Sequence, residues 1–247
     1  MYSAIGARES MVAPVAGAGC YSPALKATFI SVTLMLCQQF SGIGAILFYG
    51  GELLQNAGIA DPNLGAAISQ IVQFSFTVVA VLLIDRLGRR PLLLTSAMTM
   101  LSATVLLGWY FYREEQEFGY TFPPVFAALM VCLFYVGFAL GMGAIPWLLM
   151  SELAPARARG WASGATTFTN WVVCGLVSAI FPTMQRAIGR SYSFWVFSGM
   201  LVASVFFISI FVPETKGQSL EAIEEYFQGR RILPPPPTRD KVRESVV

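Results

Sequence analysis

The chain has 247 residues, of which 55% are hydrophobic and only 12% are charged. A soluble domain carries about 25% charged residues, so this composition indicates a membrane protein. The formal net charge of +2 and the absence of a basic face argue against a nucleic-acid partner. The sequence has no histidine, so it lacks the commonest metal ligand and any Ser-His-Asp set. We therefore expect no metal, no other cofactor and no enzyme activity.

Residues 1–25 are rich in small residues and lack the basic start and apolar core of a signal peptide. We expect this lead-in to be disordered.

Six uncharged segments follow, and each is long enough to cross a bilayer. A spanning helix needs about 20 apolar residues, whereas a helix of a soluble bundle needs a polar face. The sequence therefore predicts an all-α membrane protein with six transmembrane helices over residues 26–212. The segments are Ala27–Gly51, Pro62–Ile84, Pro91–Tyr112, Phe118–Ser151, Gly160–Gln185 and Ser191–Pro213.

The first span contains amides where hydrocarbon is expected, in the sequence CQQFSGIGAILFYGG. Gln38 and Gln39 point about 100° apart on a helix, and a buried amide is costly unless it finds a partner. Gly42 and Gly44 allow the helix to bend or unwind here. Two interpretations stay open from this stretch alone: a binding site, or amides and small residues that hold helices together.

The fourth span is interrupted in the same way. Gly143 and Pro146 lie within it, and Pro146 removes a backbone donor. When the spans are grouped as three plus three, the interrupted spans are the first of each group. Interrupted helices at corresponding positions of two repeats indicate the substrate site of a transporter.

The polar residues within the spans are neutral. Amides donate and accept hydrogen bonds, so they suit the paired hydroxyls of a polyol, and the indole of Trp147 suits the apolar face of a sugar ring. The set that we expect to bind such a ligand includes Gln38, Gln39, Gln73, Asn170 and Trp147.

Charges of both signs follow the second and fourth spans. Ion pairs between such groups hold helix ends together in one state of a rocking transporter and break in the other. The alternative is that basic loops only set the topology, which would leave Asp85 and Glu152 unexplained. The charged residues are Asp85, Arg86, Arg89, Arg90, Glu152, Arg157 and Arg159.

The distribution of basic residues predicts the orientation. Of the 16 Lys and Arg residues, only Arg113, Arg186 and Arg190 lie on the side of the membrane opposite to the others. The positive-inside rule places both termini in the cytoplasm.

The segment 213–247 is expected to be a cytoplasmic tail. Ser219 begins a short amphipathic helix over 219–229, with Leu220, Ile223, Tyr226 and Phe227 on one stripe. The alternative is a solvated charged tail. The proline-rich residues beyond this helix are expected to be disordered.

Five motifs in this order and spacing resemble the sugar porter family of the major facilitator superfamily. They are QQFSGIG, DRLGRR, IPWLLMSE, TNW and PETKG. The resemblance covers roughly residues 24–230 and corresponds to the last six helices of such a transporter. The facilitative branch that contains intracellular hexose transporters and arthropod trehalose transporters is the most similar.

The resemblance implies roles for single residues. Gln38 and Gln39 would hydrogen-bond a sugar, Trp147 would pack against it, and Tyr49 would gate the outer side. Phe138 joins the substrate-binding set, and Glu214 of PETKG joins the charged network. The family usually has asparagine at the position of Gly44, and its glucose-selective members have polar residues at those of Ala139 and Cys174, so fewer contacts to glucose are expected.

A complete member of the family has twelve helices, so we expect the chain to be incomplete. Its expected partners are a sugar, the lipid bilayer, and either a missing N-terminal half or a second copy of the chain. The alternative is a half-transporter that regulates a full-length relative without transporting. The sequence does not decide between the plasma membrane and an endosomal membrane.

Overall fold

The computed structural model describes residues 21–56, 61–116, 122–155 and 157–228. Within these ranges every regular element is a helix. The elements are α1 (Tyr21–Phe40), α2 (Ile43–Asn56), α3 (Pro62–Leu87), α4 (Arg89–Glu115), α5 (Pro124–Gly137), a π-helical segment (Phe138–Met142), α6 (Ile145–Leu153), α7 (Arg159–Ile188), α8 (Arg190–Phe211) and α9 (Leu220–Phe227).

Six helical stretches in the described ranges are long and apolar enough to cross a membrane, which confirms the predicted number. The first stretch combines α1 and α2, and the fourth combines α5, the π segment and α6. The stretches are Ala24–Gly51, Asn63–Leu87, Arg89–Glu115, Val125–Leu153, Arg159–Ile188 and Arg190–Phe211.

Helices α4 and α8 pack closely together. The rings of Phe111 and Phe194 stack with their centroids 5.6 Å apart, and Ser198 donates a hydrogen bond to the Thr104 hydroxyl at 2.9 Å. A Cβ at Gly108 would lie 2.6 Å from the Trp195 ring. The missing side chain therefore allows the indole of α8 to reach the backbone of α4.

Helices α3 and α7 are the least buried of the six spans, because only 17% and 22% of their most apolar windows are buried. Large apolar side chains such as Phe74 on α3 and Trp171 on α7 face outward. Each of these two helices therefore presents an apolar surface that no described residue covers.

The turns that begin α4 and α8 have the same backbone conformation. Gly88 has φ 93° and ψ 164°, and Gly189 has φ 88° and ψ 164°. Glycine adopts this region at little cost. Each glycine N–H donates to the carbonyl oxygen four residues earlier, that of Ile84 at 3.2 Å and that of Gln185 at 2.9 Å.

A carboxylate near the C-terminal end of α8 caps the turn that begins α4, and one near the C-terminal end of α4 caps the turn that begins α8. Glu214, which follows α8, accepts hydrogen bonds from the N–H groups of Arg89 at 3.0 Å and Arg90 at 3.1 Å. Glu115, in the last turn of α4, accepts from the N–H groups of Arg190 at 2.8 Å and Ser191 at 3.4 Å. The caps are reciprocal, because a carboxylate at the end of each helix caps the start of the other. Helices α4 and α8 are the third spans of the two triplets, so the caps occupy corresponding positions. They supply residue-level symmetry that the sequence does not reveal.

Both ends of the spanning region differ in detail from the sequence-based boundaries. Helix α1 begins at Tyr21, five residues before the predicted boundary, while residues 1–20 and 229–247 lie outside the described ranges. Helix α9 forms with Ser219 as its N-cap, whose hydroxyl accepts from the Ala222 N–H at 3.2 Å. Ala222, Ile223 and Phe227 are buried, whereas Tyr226 is exposed, and α9 contacts α1 and α6.

Candidate functional site

The first span breaks between α1 and α2, at Ser41 and Gly42. Gly42 has φ +90°, and a Cβ there would lie 2.7 Å from the Phe197 ring. The Ser41 hydroxyl donates to the carbonyl oxygen of Gln38 at 2.6 Å. Only glycine fits this turn without strain. The break begins two residues after Gln39.

Gly44 lies inside α2 and not in the break itself. A Cβ at Gly44 would lie 2.9 Å from the Ser178 hydroxyl and 3.6 Å from the Cys174 sulfur. Its place in the structure is therefore a close approach between α2 and α7.

The fourth span breaks at the π segment. The N–H of Gly143 donates to the carbonyl oxygen of Phe138 at 2.7 Å, five residues earlier. Pro146 lies in the first turn of α6, where a missing N–H leaves no helical hydrogen bond unmade. The Phe138 ring is half-buried, and its nearest carbon is 3.1 Å from the position of a Cβ on Gly143.

An amide cluster, formed by Gln38, Gln39 and Asn170, joins the two breaks and α7. The Gln38 Nε2 group donates to the carbonyl oxygens of Met142 at 2.5 Å and Gly143 at 3.2 Å. The Asn170 Nδ2 group donates to Gln38 Oε1 at 2.7 Å. The exposed fractions of the three side chains are 2%, 6% and 2%, so the cluster is enclosed in the spanning region.

Within the cluster the two glutamines differ in which of their hydrogen-bonding groups still lack a partner. Gln38 already donates twice, and its Oε1 also accepts from Gln39 Nε2 at 3.5 Å. Gln39 Oε1 is buried and has no hydrogen-bond partner. An unpaired buried acceptor is costly. A ligand hydroxyl that donates to Gln39 Oε1 would therefore gain more free energy than one that bonds to Gln38.

The other expected ligand residues lie apart from these bonds. Gln73, on α3, also has a buried Oε1 without a partner. Tyr49, on α2, packs against Phe181 of α7 with ring centroids 5.5 Å apart. Trp147 is half-buried on α6. No described hydrogen bond links these three side chains to the amide cluster.

A charged cluster lies where α3, α4, α6 and the segment after α8 meet. Arg89 lies 3.1 Å from Glu152 and 3.6 Å from Asp85. The second oxygen of Glu152 accepts a hydrogen bond from the Thr215 hydroxyl at 2.6 Å. With the Glu214 cap, these contacts join the ends of four elements.

Not every basic residue of the expected network enters it. The Arg90 guanidinium donates to the carbonyl oxygen of Ser209. Arg86 and Arg157 are exposed and form no ion pair within the described residues. Arg159 lines a small cleft with Glu152, Glu221 and Glu224, and its Nε group is buried without a partner.

Several contacts at these sites involve residues that are not among the expected site residues. Ser178 has a buried hydroxyl without a partner beside Gly44. Lys216 donates its backbone N–H to Glu214 at 2.9 Å and its ammonium group to the carbonyl oxygen of Arg86 at 2.7 Å. Lys216 lies within the PETKG motif, so the sequence does carry a signal for it, whereas a lone serine in an apolar helix carries no signal of its own.

Comparisons with known proteins identify the family of the chain. The family model described as "Sugar (and other) transporter" matches residues 15–227. The facilitated trehalose transporter Tret1-2 homolog of Drosophila sechellia is 39% identical over 207 residues, which are 83% of this chain and 42% of that protein. The facilitated trehalose transporter Tret1 of Bombyx mori is 38% identical over 201 residues, which are 81% of this chain and 40% of that protein.

Solved structures of the xylose transporter XylE are also similar. The proton:xylose symporter XylE bound to 6-bromo-6-deoxy-D-glucose has a TM-score of 0.72 and 30% identity, over 81% of this chain and 42% of that chain. The inward-open form from E. coli has a TM-score of 0.71 and 31% identity, over 86% of this chain and 43% of that chain. The chain thus spans about two fifths of the length of these relatives. It belongs to the sugar transporter family of the major facilitator superfamily.

Proposed function

We propose that this six-helix unit is one half of a facilitative carrier that moves a sugar, a hexose or trehalose, across a membrane by alternating access. The observation that carries the proposal is the amide cluster. It is neutral, buried, and located where two interrupted helices meet, and Gln39 Oε1 within it has no partner. A sugar hydroxyl is a donor that fits this acceptor.

The relatives support a sugar as the cargo. The two insect relatives are facilitated trehalose transporters, and one solved structure holds a halogenated glucose. The three side chains of the amide cluster are all neutral, so the cluster itself provides no charged group to bind an ion together with the sugar. Facilitated diffusion is the simplest mechanism for such a site.

The charged cluster and the Tyr49–Phe181 contact would be the two gates. Arg89 and Glu152 link α4 to α6, and this ion pair would break when the carrier opens on that side. Tyr49 and Phe181 link α2 to α7 and would part when it opens on the other. By the positive-inside rule, the charged cluster faces the cytoplasm, as do both termini.

Alternating access needs a second rigid unit against which this one can rock. The apolar surfaces of α3 and α7 suit such a unit, because they face outward within the described residues. A second six-helix half, as in the longer relatives, is the occupant that we infer, and a second copy of this chain is the competing one.

Radiolabelled sugar uptake in transporter-deficient cells tests the proposal. Glucose, fructose and trehalose are offered to cells that express the chain joined to the N-terminal half of the Bombyx mori relative. Uptake that disappears in Gln39→Ala supports the proposal. Uptake of none of the three sugars, with the joined protein present at the membrane, contradicts it.

A further inference from the structure

Ser96 of α4 forms hydrogen bonds to the π segment of the fourth span. The side chain is fully buried. Its hydroxyl donates to the carbonyl oxygen of Gly137 at 2.6 Å and accepts from the N–H of Met142 at 2.8 Å. Most other span hydroxyls, such as those of Ser193 and Ser204, donate to a carbonyl of their own helix. The Ser96 hydroxyl instead donates to, and accepts from, backbone groups of a neighbouring span.

The π segment needs such a partner. The carbonyl oxygen of Phe138, which the N–H of Met142 would use in an α-helix, accepts from Gly143 instead. A widened turn of this kind displaces backbone groups from their usual partners, and buried backbone groups need partners. The Ser96 hydroxyl bridges Gly137 and Met142, the two groups that flank the wide turn.

Close packing makes this bridge possible. A Cβ at Gly141 would lie 2.6 Å from the carbonyl oxygen of Leu92 and 2.8 Å from the Cβ of Ser96. The backbone of the π segment therefore approaches α4 at a distance that only glycine permits. At this separation the short side chain of serine spans the gap between α4 and the fourth span.

Met142 connects this bridge to the amide cluster. Its N–H is held by Ser96, and its carbonyl oxygen is held by Gln38 at 2.5 Å. One backbone residue is therefore fixed at both polar groups by side chains from α4 and α1. Loss of either hydrogen bond would allow Met142 to shift, and with it the Gln38 side chain.

We propose that Ser96 is a positioning residue for sugar binding, which acts through the backbone of Met142 on Gln38. The proposal rests on the proposed function for its link to sugar. Within the described residues Ser96 forms no hydrogen bond with the amide cluster, and its hydrogen bonds go to Gly137 and Met142, so its effect passes through the π segment. The structural part of the proposal concerns backbone order and is measurable without any sugar.

Hydrogen–deuterium exchange on the full 247-residue chain in detergent tests the structural part. Ser96→Ala should speed exchange about tenfold in peptides that cover residues 137–145 and 37–43, because two buried hydrogen bonds are lost. The matched control is Ser198→Ala, which removes another buried hydroxyl, one that bonds to Thr104 and Phe194. The control should leave those peptides unchanged.

Sugar uptake by the joined carrier tests the functional part. Ser96→Ala should raise the KM for the transported sugar about tenfold and change the maximal rate by less than about twofold, because binding geometry is altered and the moving parts are not. Ser198→Ala should change neither value. Ser96→Cys, which keeps a weak donor at similar size, should lie between wild type and Ser96→Ala, and it replaces Ser96→Ala if that variant does not accumulate.

The two measurements separate the possible failures. Unchanged exchange at 137–145 in Ser96→Ala would overturn the positioning proposal. Faster exchange with an unchanged KM would overturn its link to sugar binding. Absence of uptake by the wild-type joined carrier would contradict the proposed function, while the exchange result would still decide whether Ser96 holds the π segment.

Discussion

The side-chain amide of Gln38 lies 2.5 Å from the carbonyl oxygen of Met142. The break of the first span is thereby bonded to the break of the fourth. A side chain that donates to a loosened backbone serves two purposes, because it satisfies the freed carbonyl and fixes the distance between two helices. The site that we propose for sugar therefore also holds the first and fourth spans together.

Replacement of Gln38 by alanine should reduce both transport and stability. The change removes the side-chain donor of the Met142 and Gly143 carbonyl oxygens and leaves the Asn170 amide with only the Met35 sulfur, which costs about 1–3 kcal/mol for each unsatisfied buried group. Thermal unfolding in detergent and uptake by the joined carrier are the measurements. The exposed Gln55 at the far end of α2 provides the control. Equal melting temperatures for Gln38→Ala and Gln55→Ala would show that Gln38 does not stabilise the contact between the two spans.

The break of the first span should not tolerate a side chain at Gly42. Gly42→Ala forces a Cβ to within 2.7 Å of the Phe197 ring at φ +90°, so we expect a loss of about 1–3 kcal/mol in stability. Gly164→Ala, on α7, meets nothing within 4 Å and should leave the melting temperature unchanged or slightly higher. Similar melting temperatures for the two variants would show that the break is not shaped as described.

The basic residues of the charged cluster should differ in importance. Arg89 has a side chain only 14% exposed and contacts both Glu152 and Asp85, whereas Arg157 is exposed and forms no ion pair within the described residues. Arg89→Gln should therefore lower stability by about 1–2 kcal/mol, and Arg157→Gln by less than about 0.5 kcal/mol. Thermal unfolding of the two variants side by side decides this, and a larger loss for Arg157→Gln would refute the pairing.

The cap on α8 should depend on Glu115 more than on its neighbour. Glu115 accepts from two backbone N–H groups and from the Ser191 hydroxyl at 2.6 Å, whereas Glu114 contacts Arg190 only as an ion pair at 3.6 Å. Glu115→Ala should cost about 1 kcal/mol, the usual value of a helix cap. Glu114→Ala should cost less, and that smaller loss should shrink further in high salt. The reverse order of the two losses would contradict the reciprocal caps.

The sequence predicts the spans and both breaks well, for a physical reason. Uncharged runs of spanning length and helix-weakening residues are local properties, so Gly42 and Pro146 signal their positions without tertiary information. Gln38, Gln39 and Asn170 were also expected to share a site, because buried amides need partners. The structure brings these three residues together.

Other features depend on packing between distant segments and leave no local signal. Glu115 caps a helix that begins 75 residues later, and nothing near Glu115 in the sequence indicates this. Ser96 resembles a small filler in an apolar helix until the π segment lies beside it. Arg86 and Arg157 carry the expected charge but lie outside the ion pairs. The sequence does not predict this, because a charge pattern does not tell which side chains face each other.

Sugar uptake by the chain alone and by the joined carrier, measured in parallel, is the most direct test of the central claim. The account predicts uptake by the joined carrier, lost in Gln38→Ala and Trp147→Ala, and no uptake by the chain alone. Uptake by the chain alone would show that two copies form a working carrier, and the inferred second half would then be wrong. Uptake by neither, with both proteins present at the membrane, would contradict sugar transport itself.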